Sequence, residues 1–387
     1  MSAVIPVNVA ESDLSRLLAG AGLKRIHQGK VRDTYELPGH PDLLLVVATD
    51  RLSIFDFVLP CLVPKKGEVL TALTVFWLGL IEICDQHHLY ASGYGMDDFL
   101  PPTLRGNRDL YACALVVKKL NILPIECVVR GYLTGSGWQA YLKGEPVCGH
   151  QLPSGLHDGS KLEQPIFTPT TKAETGHDQA ITVDDAIKIH PHLECQSLAL
   201  YRCAYDIAKS HGIILADTKF EFGILPDATR EPRITTLILA DEVLTPDSSR
   251  FWDNDEWEKA GAEKQSPGGY DKEPVRQWGK TVVTPFGVTG INRLNPANPE
   301  HLAFIAKLSA PEMMVWKTVH RYFKIFKRLT RQDLAEFQKM YMSCGSSNEP
   351  PEPKDWSDPA QVEAYRQKWE ERFGHIDWGR GTRKNPE

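Results

Sequence analysis

The chain lacks the cysteine spacings that mark a zinc site or a disulfide framework. Its 387 residues include eight cysteines, but no two of them form a CxxC pair and no framework of close spacings is present. Small disulfide-bonded scaffolds and structural zinc sites both need such spacings. The 13 histidines show no metal-binding spacing either. We therefore expect free thiols in a reducing environment, and a cytoplasmic protein.

Long apolar runs and a basic stripe are also missing. The longest apolar run, residues 69–84, is too short to span a bilayer and contains Glu82. Residues 1–10 have no basic stretch followed by an apolar core, so we expect no secretion signal. The net charge of -6 gives no reason to expect nucleic acid as a partner. The sequence thus predicts neither membrane nor nucleic-acid partners.

The pattern of apolar residues predicts an α+β protein of two lobes with an appendage, since the chain exceeds the usual size of one domain. Periodicity of two predicts strands, and periodicity near 3.6 predicts helices. The predicted strands cover residues 24–27, 34–37, 43–48, 113–120, 125–133, 212–223 and 234–240, and the main predicted helices cover 13–19, 69–86, 183–190, 195–211, 311–330 and 360–373. These elements divide into a β-rich lobe (1–122), a larger α+β lobe (123–330) and an extension (331–387) with a proline-rich linker. The extension could pack on the core, form an oligomer contact or hang free.

Residues 212–223 place three charges at alternate positions of an otherwise apolar segment. In a strand Asp217, Lys219 and Glu221 share one face, which we expect to be the solvated one. Two carboxylates and an ammonium can hold Mg²⁺ and a phosphate together, although a routine surface ion pair gives the same pattern. If the strand predicted at 234–240 pairs with this one, Asp241 would complete a three-carboxylate cluster.

Two glycine-containing segments are candidate phosphate sites. In residues 27–33, a glycine between strands lets backbone amides approach a phosphate, and Lys30 and Arg32 could neutralise it. The P-loop spacing is absent, and a plain hairpin turn is the alternative. Residues 129–138 run from a strand through glycines into a helix, beside Arg130 and Ser136. A helix N-terminus there is a ready anion site, or simply a glycine-rich connection.

Four further polar segments are candidate binding loops. Residues 48–56 follow an apolar strand, as ligand-binding loops often do, or form an Asp-Arg pair that braces a turn. Residues 168–178 form a hydroxyl-rich loop with basic and acidic groups, and capping of the next helix, where Thr182 precedes Val183, explains part of this pattern. In residues 241–252, Arg250 could grip a phosphate or carboxylate, or be ion-paired in a capped turn. Residues 270–278 place Lys272 and Arg276 on one helical face, a pattern that is usually only surface.

Taken in order, these motifs resemble the SAICAR synthetase family, the phosphoribosylaminoimidazole-succinocarboxamide synthases of purine biosynthesis. The resemblance covers roughly residues 23–330. Its motifs are Gly-Lys-Val-Arg-Asp, Thr-Asp-Arg-Leu-Ser-Ile-Phe-Asp, Glu-Cys-Val-Val-Arg-Gly-Tyr-Leu-Thr-Gly-Ser, Leu-Ala-Asp-Thr-Lys-Phe-Glu-Phe-Gly, Asp-Glu-Val-Leu-Thr-Pro-Asp-Ser-Ser-Arg-Phe-Trp and Tyr-Asp-Lys. It implies a two-lobed, ATP-grasp-like fold with antiparallel sheets. It also implies a ligase that joins L-aspartate to carboxyaminoimidazole ribonucleotide through an acyl phosphate, with ATP as co-substrate.

The resemblance also implies roles for individual residues. Glu221 and Asp241 would hold Mg²⁺, and Asp217 and Lys219 would be catalytic, with Asp217 on the metal or the substrate side. The residues implied in binding ATP are Gln28, Gly29, Lys30, Arg32, Lys219 and Glu221. Those implied in binding the other substrates are Asp50, Arg51, Ser53, Arg130, Ser136, Lys172, His177, Asp178, Arg250, Asp271 and Lys272. Of these, Arg130, Ser136 and Arg250 would hold the ribonucleotide. Asp271, Lys272 and the loop of residues 172–178 would serve the aspartate side or the transferred phosphate. Partners would be small molecules, with a homo-oligomer as one option. A small-molecule kinase and a non-catalytic nucleotide-binding protein are the competing hypotheses.

Overall fold

The computed structural model describes residues 13–80, 86–172, 179–227, 236–345, 350 and 352–373. The strands are β1 Arg25–Gln28, β2 Arg32–Glu36, β3 Leu43–Ala48, β4 Arg51–Ile54, β5 Phe57–Leu62, β6 Leu89–Ser92, β7 Ala114–Lys118, β8 Asn121–Ile122, β9 Ile125–Leu133, β10 Ser160–Phe167, β11 Thr170–Thr171, β12 Ile213–Ile224, β13 Ile238–Ala240 and β14 Ser249–Asp253. The helices are α1 Asp13–Gly20, α2 Lys66–Leu80, α3 Arg108–Cys113, α4 Gly135–Leu142, α5 Val183–Ile189, α6 Leu193–Ser210, α7 Asn254–Ala262, α8 Glu273–Thr281, α9 Pro299–Ile305, α10 Glu312–Thr330, α11 Leu334–Tyr341 and α12 Pro359–Phe373. This mixture is the predicted α+β class.

The strands form two larger sheets and a hairpin. The smaller sheet has the order β1-β2-β3-β7-β6, and β4 and β5 pair with each other. The larger sheet has the order β10-β9-β12-β13, with β11 on β9, and β8 and β14 on β12. The paired strands run antiparallel, as predicted. The charged strand β12 therefore lies in the middle of the larger sheet.

A short segment, residues 86–88, joins the two sheets through backbone hydrogen bonds. Leu239 of β13 donates its N–H to Gln86 O at 2.9 Å, and His88 N–H donates to Leu239 O at 2.9 Å. On its other side His88 O accepts from Lys118 N–H of β7 at 2.7 Å. Because β13 is thereby held against the smaller sheet, side chains of both sheets can meet at the end of β13.

The predicted elements compare well with the observed ones where the sequence signal is local. Strands 43–48 and 125–133 are observed with the predicted bounds, and the helix predicted at 311–330 begins one residue later. Helix α2 begins at Lys66 rather than at residue 69, and residues 81–85 of the prediction lie outside the described residues. Of the strand predicted at 234–240, the described part is β13. Strand β13 pairs with β12, the pairing that would bring Asp241 close to the charged residues of β12.

The described part of the C-terminal extension, which includes α11 and α12, packs on the core. Helix α12 buries Val362, Tyr365 and Trp369 along one face, spaced as an amphipathic helix requires. The rings of Tyr365 and Trp369 lie 5.4 Å and 5.5 Å from the Trp316 ring of α10. Helix α10 also packs against α2 and α11. Of the three options that the sequence left open, packing on the core is the one observed.

Two expectations about absent features can be compared with the structure. The seven cysteines among the described residues are all free thiols. In the same part of the chain, no helix combines the length and the apolarity needed to cross a membrane.

We expect Trp369→Ala to lower the free energy of unfolding by about 3 to 5 kcal/mol, the usual cost of truncating a buried tryptophan. Trp369 is 1% exposed and its ring contacts rings from both α10 and α12. Urea unfolding would measure the change, with Lys368→Ala at a neighbouring exposed position as the matched control. Equal stability of the two variants would show that α12 is not packed on the core in solution.

Candidate active site

Two of the three charged residues of β12 are buried in the protein, and Lys219 is half-buried. Asp217 and Glu221 are each 5% exposed. The prediction of a solvated charged face is therefore wrong. Basic side chains lie against both carboxylates on this face, and buried charges persist only where other groups pair with them.

Asp217 lies between two arginines on neighbouring strands. It is in register with Arg130 of β9 and with Arg250 of β14. Arg130 Nη1 donates to Asp217 Oδ2 at 2.8 Å, and Arg250 forms an ion pair with the same oxygen. Asp217 raises the pKa of Arg250, whereas burial lowers the pKa of Arg130. Two guanidinium groups share one carboxylate, so this cluster keeps a positive charge that can attract an anion.

The start of α4 completes this two-arginine cluster. Arg130 Nη2 donates to Ser136 Oγ at 2.9 Å. A Cβ on Gly135, which has a φ of +58°, would lie 2.6 Å from Arg250 Nη2, and a Cβ on Gly137 would lie 3.2 Å from Arg130 Cδ. Glycine at both positions lets the guanidinium groups lie against the helix N-terminus, where anions are favoured. The structure thus brings together the three residues implied in holding the ribonucleotide, and that role stays a prediction.

A second cluster surrounds Lys219 and Glu221. Lys219 Nζ donates to Glu126 Oε1 at 2.7 Å and to Glu221 Oε1 at 3.0 Å. Lys172 forms an ion pair with Glu221 Oε2. Burial alone would raise the pKa of Glu221, but Lys219 and Lys172 outweigh it and lower that pKa to about 2. Burial would likewise lower the pKa of Lys219, yet Glu221 and Glu126 raise it. Both groups are therefore charged at neutral pH.

Asp241 reaches the edge of this second cluster and meets the smaller sheet there. Glu221 is in register with Ala240, so Asp241 follows directly. Arg32 of β2 donates from Nη2 to Asp241 Oδ2 at 2.7 Å, and its Nη1 lies 2.9 Å from Glu242 Oε1. Burial is the largest effect on Asp241 and raises its pKa to about 6; Arg32 opposes this, while Glu221 and Glu242 add to it. The negative charge around Asp241 is only partly compensated.

The three carboxylates do not form one cluster. Asp217 and Glu221 are four residues apart, which is about 13 Å along a strand, and Asp217 is held by its two arginines. Across the described ranges, no group of three or more His, Cys, Asp or Glu side chains could hold a metal ion. The predicted three-carboxylate cluster is therefore wrong, and Glu221 with Asp241 remains the candidate metal-binding pair.

Arg51 braces the glycine turn of residues 29–33. Its Nη2 donates to Asp33 Oδ1 at 2.6 Å and to Gly29 O at 3.0 Å, and its Nε donates to Lys30 O at 3.2 Å. Lys30 Nζ donates to Asp56 Oδ1 at 2.6 Å. The ion pair that the sequence allowed is thus made with Asp33 of β2, not with the neighbouring aspartate. These contacts support the turn, and substrate binding by Arg51 stays a prediction.

Asp50 caps the start of α2. Its Oδ2 accepts from Lys65 N–H and its Oδ1 from Gly67 N–H, both at 3.0 Å. A Cβ on Gly67 would lie 2.6 Å from Ala48 O, so the helix start lies directly against the end of β3. Burial is the largest effect on Asp50 and raises its pKa to about 6. Ser53 is buried in β4, and for both residues substrate binding remains a prediction.

Two of the residues implied for the aspartate side or the transferred phosphate, Asp271 and Lys272, lie just before α8. Asp271 Oδ1 accepts from Glu273 N–H at 3.0 Å, and its Oδ2 accepts from Arg276 Nη1 at 3.0 Å. Lys272 Nζ lies 3.4 Å from Asp247 Oδ1. Gln28 is half-buried at the end of β1, and His177 and Asp178 lie outside the described residues.

Several residues that contact these clusters, the glycine turn or Lys272 and its partner were not singled out from the sequence. They are Asp33, Lys66, Glu126, Asp247 and Tyr322. Glu126 could have been found, because it alternates with Arg130 on β9 as the charges of β12 do. No local pattern marks the others, whose partners come from distant segments.

Fold and site together define an α+β protein with antiparallel sheets, in which buried basic groups are paired with carboxylates on one central strand. The family model described as SAICAR synthetase matches residues 25–288. This chain belongs to the SAICAR synthetase family, amide-forming ligases of purine biosynthesis, as the resemblance implied.

Individual relatives match most of the chain. The phosphoribosylaminoimidazole-succinocarboxamide synthase of Maridesulfovibrio salexigens is 41% identical over 335 residues, covering 84% of this chain and 98% of the relative. That of Schizosaccharomyces pombe is 39% identical over 315 residues, covering 80% and 95%. A solved structure of the SAICAR synthase from Saccharomyces cerevisiae, complexed with SAICAR, is 32% identical with a TM-score of 0.64, and the match covers 84% of this chain and 99% of that one.

Asp50 gives a pH-dependent prediction. The pKa of Asp50 in the folded protein is raised from 3.8 to about 6, so its ionised form opposes folding. The free energy of unfolding is therefore highest below pH 3.8, falls as pH rises from there through about 6, and then levels off. The free energy of unfolding of Asp50→Asn, measured relative to the parent protein, should therefore increase by about 2 kcal/mol between pH 4 and pH 7.5. Urea unfolding at both pH values would measure this, with Asp42→Asn at an exposed position as control. A difference that does not change with pH would contradict it.

Proposed function

We propose that this chain uses ATP to join L-aspartate to carboxyaminoimidazole ribonucleotide, giving SAICAR, ADP and phosphate through an acyl phosphate. The observation that carries the proposal is that one buried strand bears two charge clusters: the two-arginine cluster at Asp217 and the cluster of Lys219, Glu221 and Asp241. A carboxylate accepts an amine poorly, whereas an acyl phosphate has a good leaving group. Two anionic substrates, ATP and the ribonucleotide, must therefore meet, and β12 offers a charged site for each.

The two-arginine cluster is proposed to hold the ribonucleotide. Arg130, Arg250 and Ser136 offer donors beside a helix N-terminus, a suitable set for a phosphate. Asp217 fixes both guanidinium groups in place. Because its carboxylate is engaged by arginines and lies away from Glu221, we assign Asp217 to the substrate side rather than to the metal.

The second cluster is proposed to hold the phosphates of ATP, with Lys219, Lys30 and Arg32 as the cations. Glu221 and Asp241 fit Mg²⁺, since both are hard oxygen donors and the negative charge around Asp241 is incompletely compensated. Mg²⁺ commonly needs only one or two carboxylates when substrate phosphates supply other oxygens. When bound, it would neutralise charge on the transferred phosphoryl group. Lys219 would orient that group, because Glu126 and Glu221 fix its ammonium.

We further propose that the two sheets belong to ATP-grasp-like lobes, residues 1–122 and 123–330, with the nucleotide between them. The contact of Arg32 from β2 with Asp241 after β13 supports this, since it places basic and acidic groups of both sheets together. Asp271, Lys272 and the loop from Lys172 are proposed for the aspartate side or the transferred phosphate.

The reaction itself is tested by measuring ADP release and the mass of the product. We expect ADP release to need both L-aspartate and the ribonucleotide, with an amide product. ADP release without aspartate, leaving a stable phosphorylated acceptor, would instead identify a small-molecule kinase. Nucleotide binding without any turnover would identify a non-catalytic binding protein.

Glu221→Gln should lower kcat/KM by about 100-fold or more, because a ligand for Mg²⁺ and a partner of Lys219 lose their charge. Its melting temperature should change little, since Lys219 keeps Glu126 at 2.7 Å. Steady-state kinetics and thermal melting would check both. Residual activity together with a large loss of stability would support a purely structural ion pair.

Arg250→Ala should raise KM for the ribonucleotide by about tenfold or more, the usual cost of losing hydrogen bonds to a charged group. KM for L-aspartate should change less, and Asp217 should stay paired with Arg130. Arg328→Ala, which removes an arginine ion-paired with Asp253 outside both charge clusters, is the matched control. An equal rise in both KM values for Arg250→Ala would contradict the assignment.

A further inference from the structure

A buried carboxylate without a role in the proposed reaction, Asp247, lies in the turn between β13 and β14. Only 3% of its side chain is exposed. Its Oδ2 lies 2.5 Å from Lys66 Nζ, at the first residue of α2, and its Oδ1 accepts from Tyr322 Oη of α10 at 2.5 Å. Lys272 Nζ, before α8, lies 3.4 Å from Oδ1. Four separate segments of the chain therefore meet at one carboxylate.

The contacts of Asp247 are unequal. Lys66, whose side chain is 0% exposed, and Tyr322 make the short contacts, so they fix the carboxylate. Neither can reach a ligand in solution. Lys272 makes the longer contact, and 9% of its side chain is exposed. Lys272 is thus held in direction by Asp247 while its ammonium keeps the capacity to pair with another anion.

The turn that carries Asp247 is itself attached to the charged strand. Lys219 N–H donates to Ser248 O at 2.9 Å, and the hydroxyls of Thr218 and Ser249 are 2.8 Å apart. The carboxylate therefore has a fixed position relative to β12, and the tyrosine hydroxyl fixes its rotation. Burial of this carboxylate is tolerable because it lies between two ammonium groups and accepts the hydrogen bond of the tyrosine hydroxyl.

We infer that Tyr322, acting through Asp247, is a positioning residue that aims Lys272 at the carboxylate of L-aspartate. This inference rests on the proposed function and takes, of the two roles proposed there for Lys272, the aspartate side rather than the transferred phosphate. The recognised group is a carboxylate of an amino-acid substrate. Helix α10, which contributes no other residue to the proposed site, would thereby influence the affinity of the enzyme for one substrate.

The test is Tyr322→Phe in the full-length protein, which removes only a hydroxyl from a buried ring. We expect KM for L-aspartate to rise about three- to tenfold, because the hydrogen bond that fixes Asp247, the partner of Lys272, is lost. KM for ATP and kcat should stay within about twofold. Tyr35→Phe is the matched control, because Tyr35 is a buried tyrosine of β2 whose hydroxyl bonds Ser15.

A double-mutant cycle with Lys272→Met separates positioning from a purely structural role. If Tyr322 acts through Lys272, Tyr322→Phe should leave KM for L-aspartate unchanged in the Lys272→Met background. A lower melting temperature with no change in KM, or equal rises in KM in both backgrounds, would overturn the inference. Amide formation by the parent protein in the same assay tests the proposed reaction separately.

Discussion

The structure depends on the pairing of charges that are buried on β12. A carboxylate or ammonium removed from water is costly unless it is paired and hydrogen-bonded. Asp217 is therefore matched by Arg130 and Arg250, and Lys219 by Glu126 and Glu221. Each partner comes from a neighbouring strand or the same strand, so strand pairing and charge pairing require each other. A shift in register would leave several buried charges unpaired.

The same pairing explains how the site could act without large rearrangement. Positively charged groups that are already fixed in a buried, low-dielectric setting stabilise developing negative charge better than mobile groups in water. Arginines held against the start of α4 and a lysine held between two glutamates are fixed in this way. Burying these charges costs stability, and the fixed positive groups that result suit the chemistry that the family carries out.

The sequence predicted what is local and missed what depends on distant contacts. The alternation of Asp217, Lys219 and Glu221 predicted the strand, and the 3.6-residue period predicted α10, because each pattern lies within one segment. Burial of the charged face was not predicted, since the partners of Asp217 lie far away in the chain and register is not readable locally. Asp50 and Arg51 were found as polar residues after a strand, but their contacts with α2 and β2 come from tertiary structure.

Helix α10 connects the extension to the site, because it buries one residue against α12 and another against Asp247. One part of the helix presents Trp316 to the rings of α12, and two turns later Tyr322 reaches Asp247. Because a helix is stiff over this length, packing of the extension and the orientation of Asp247 cannot vary independently. The described part of the extension therefore belongs to the same packed unit as the charge clusters, even though none of its described residues enters them. The aromatic residues of α12 support α10, and α10 in turn contacts Asp247 near the site.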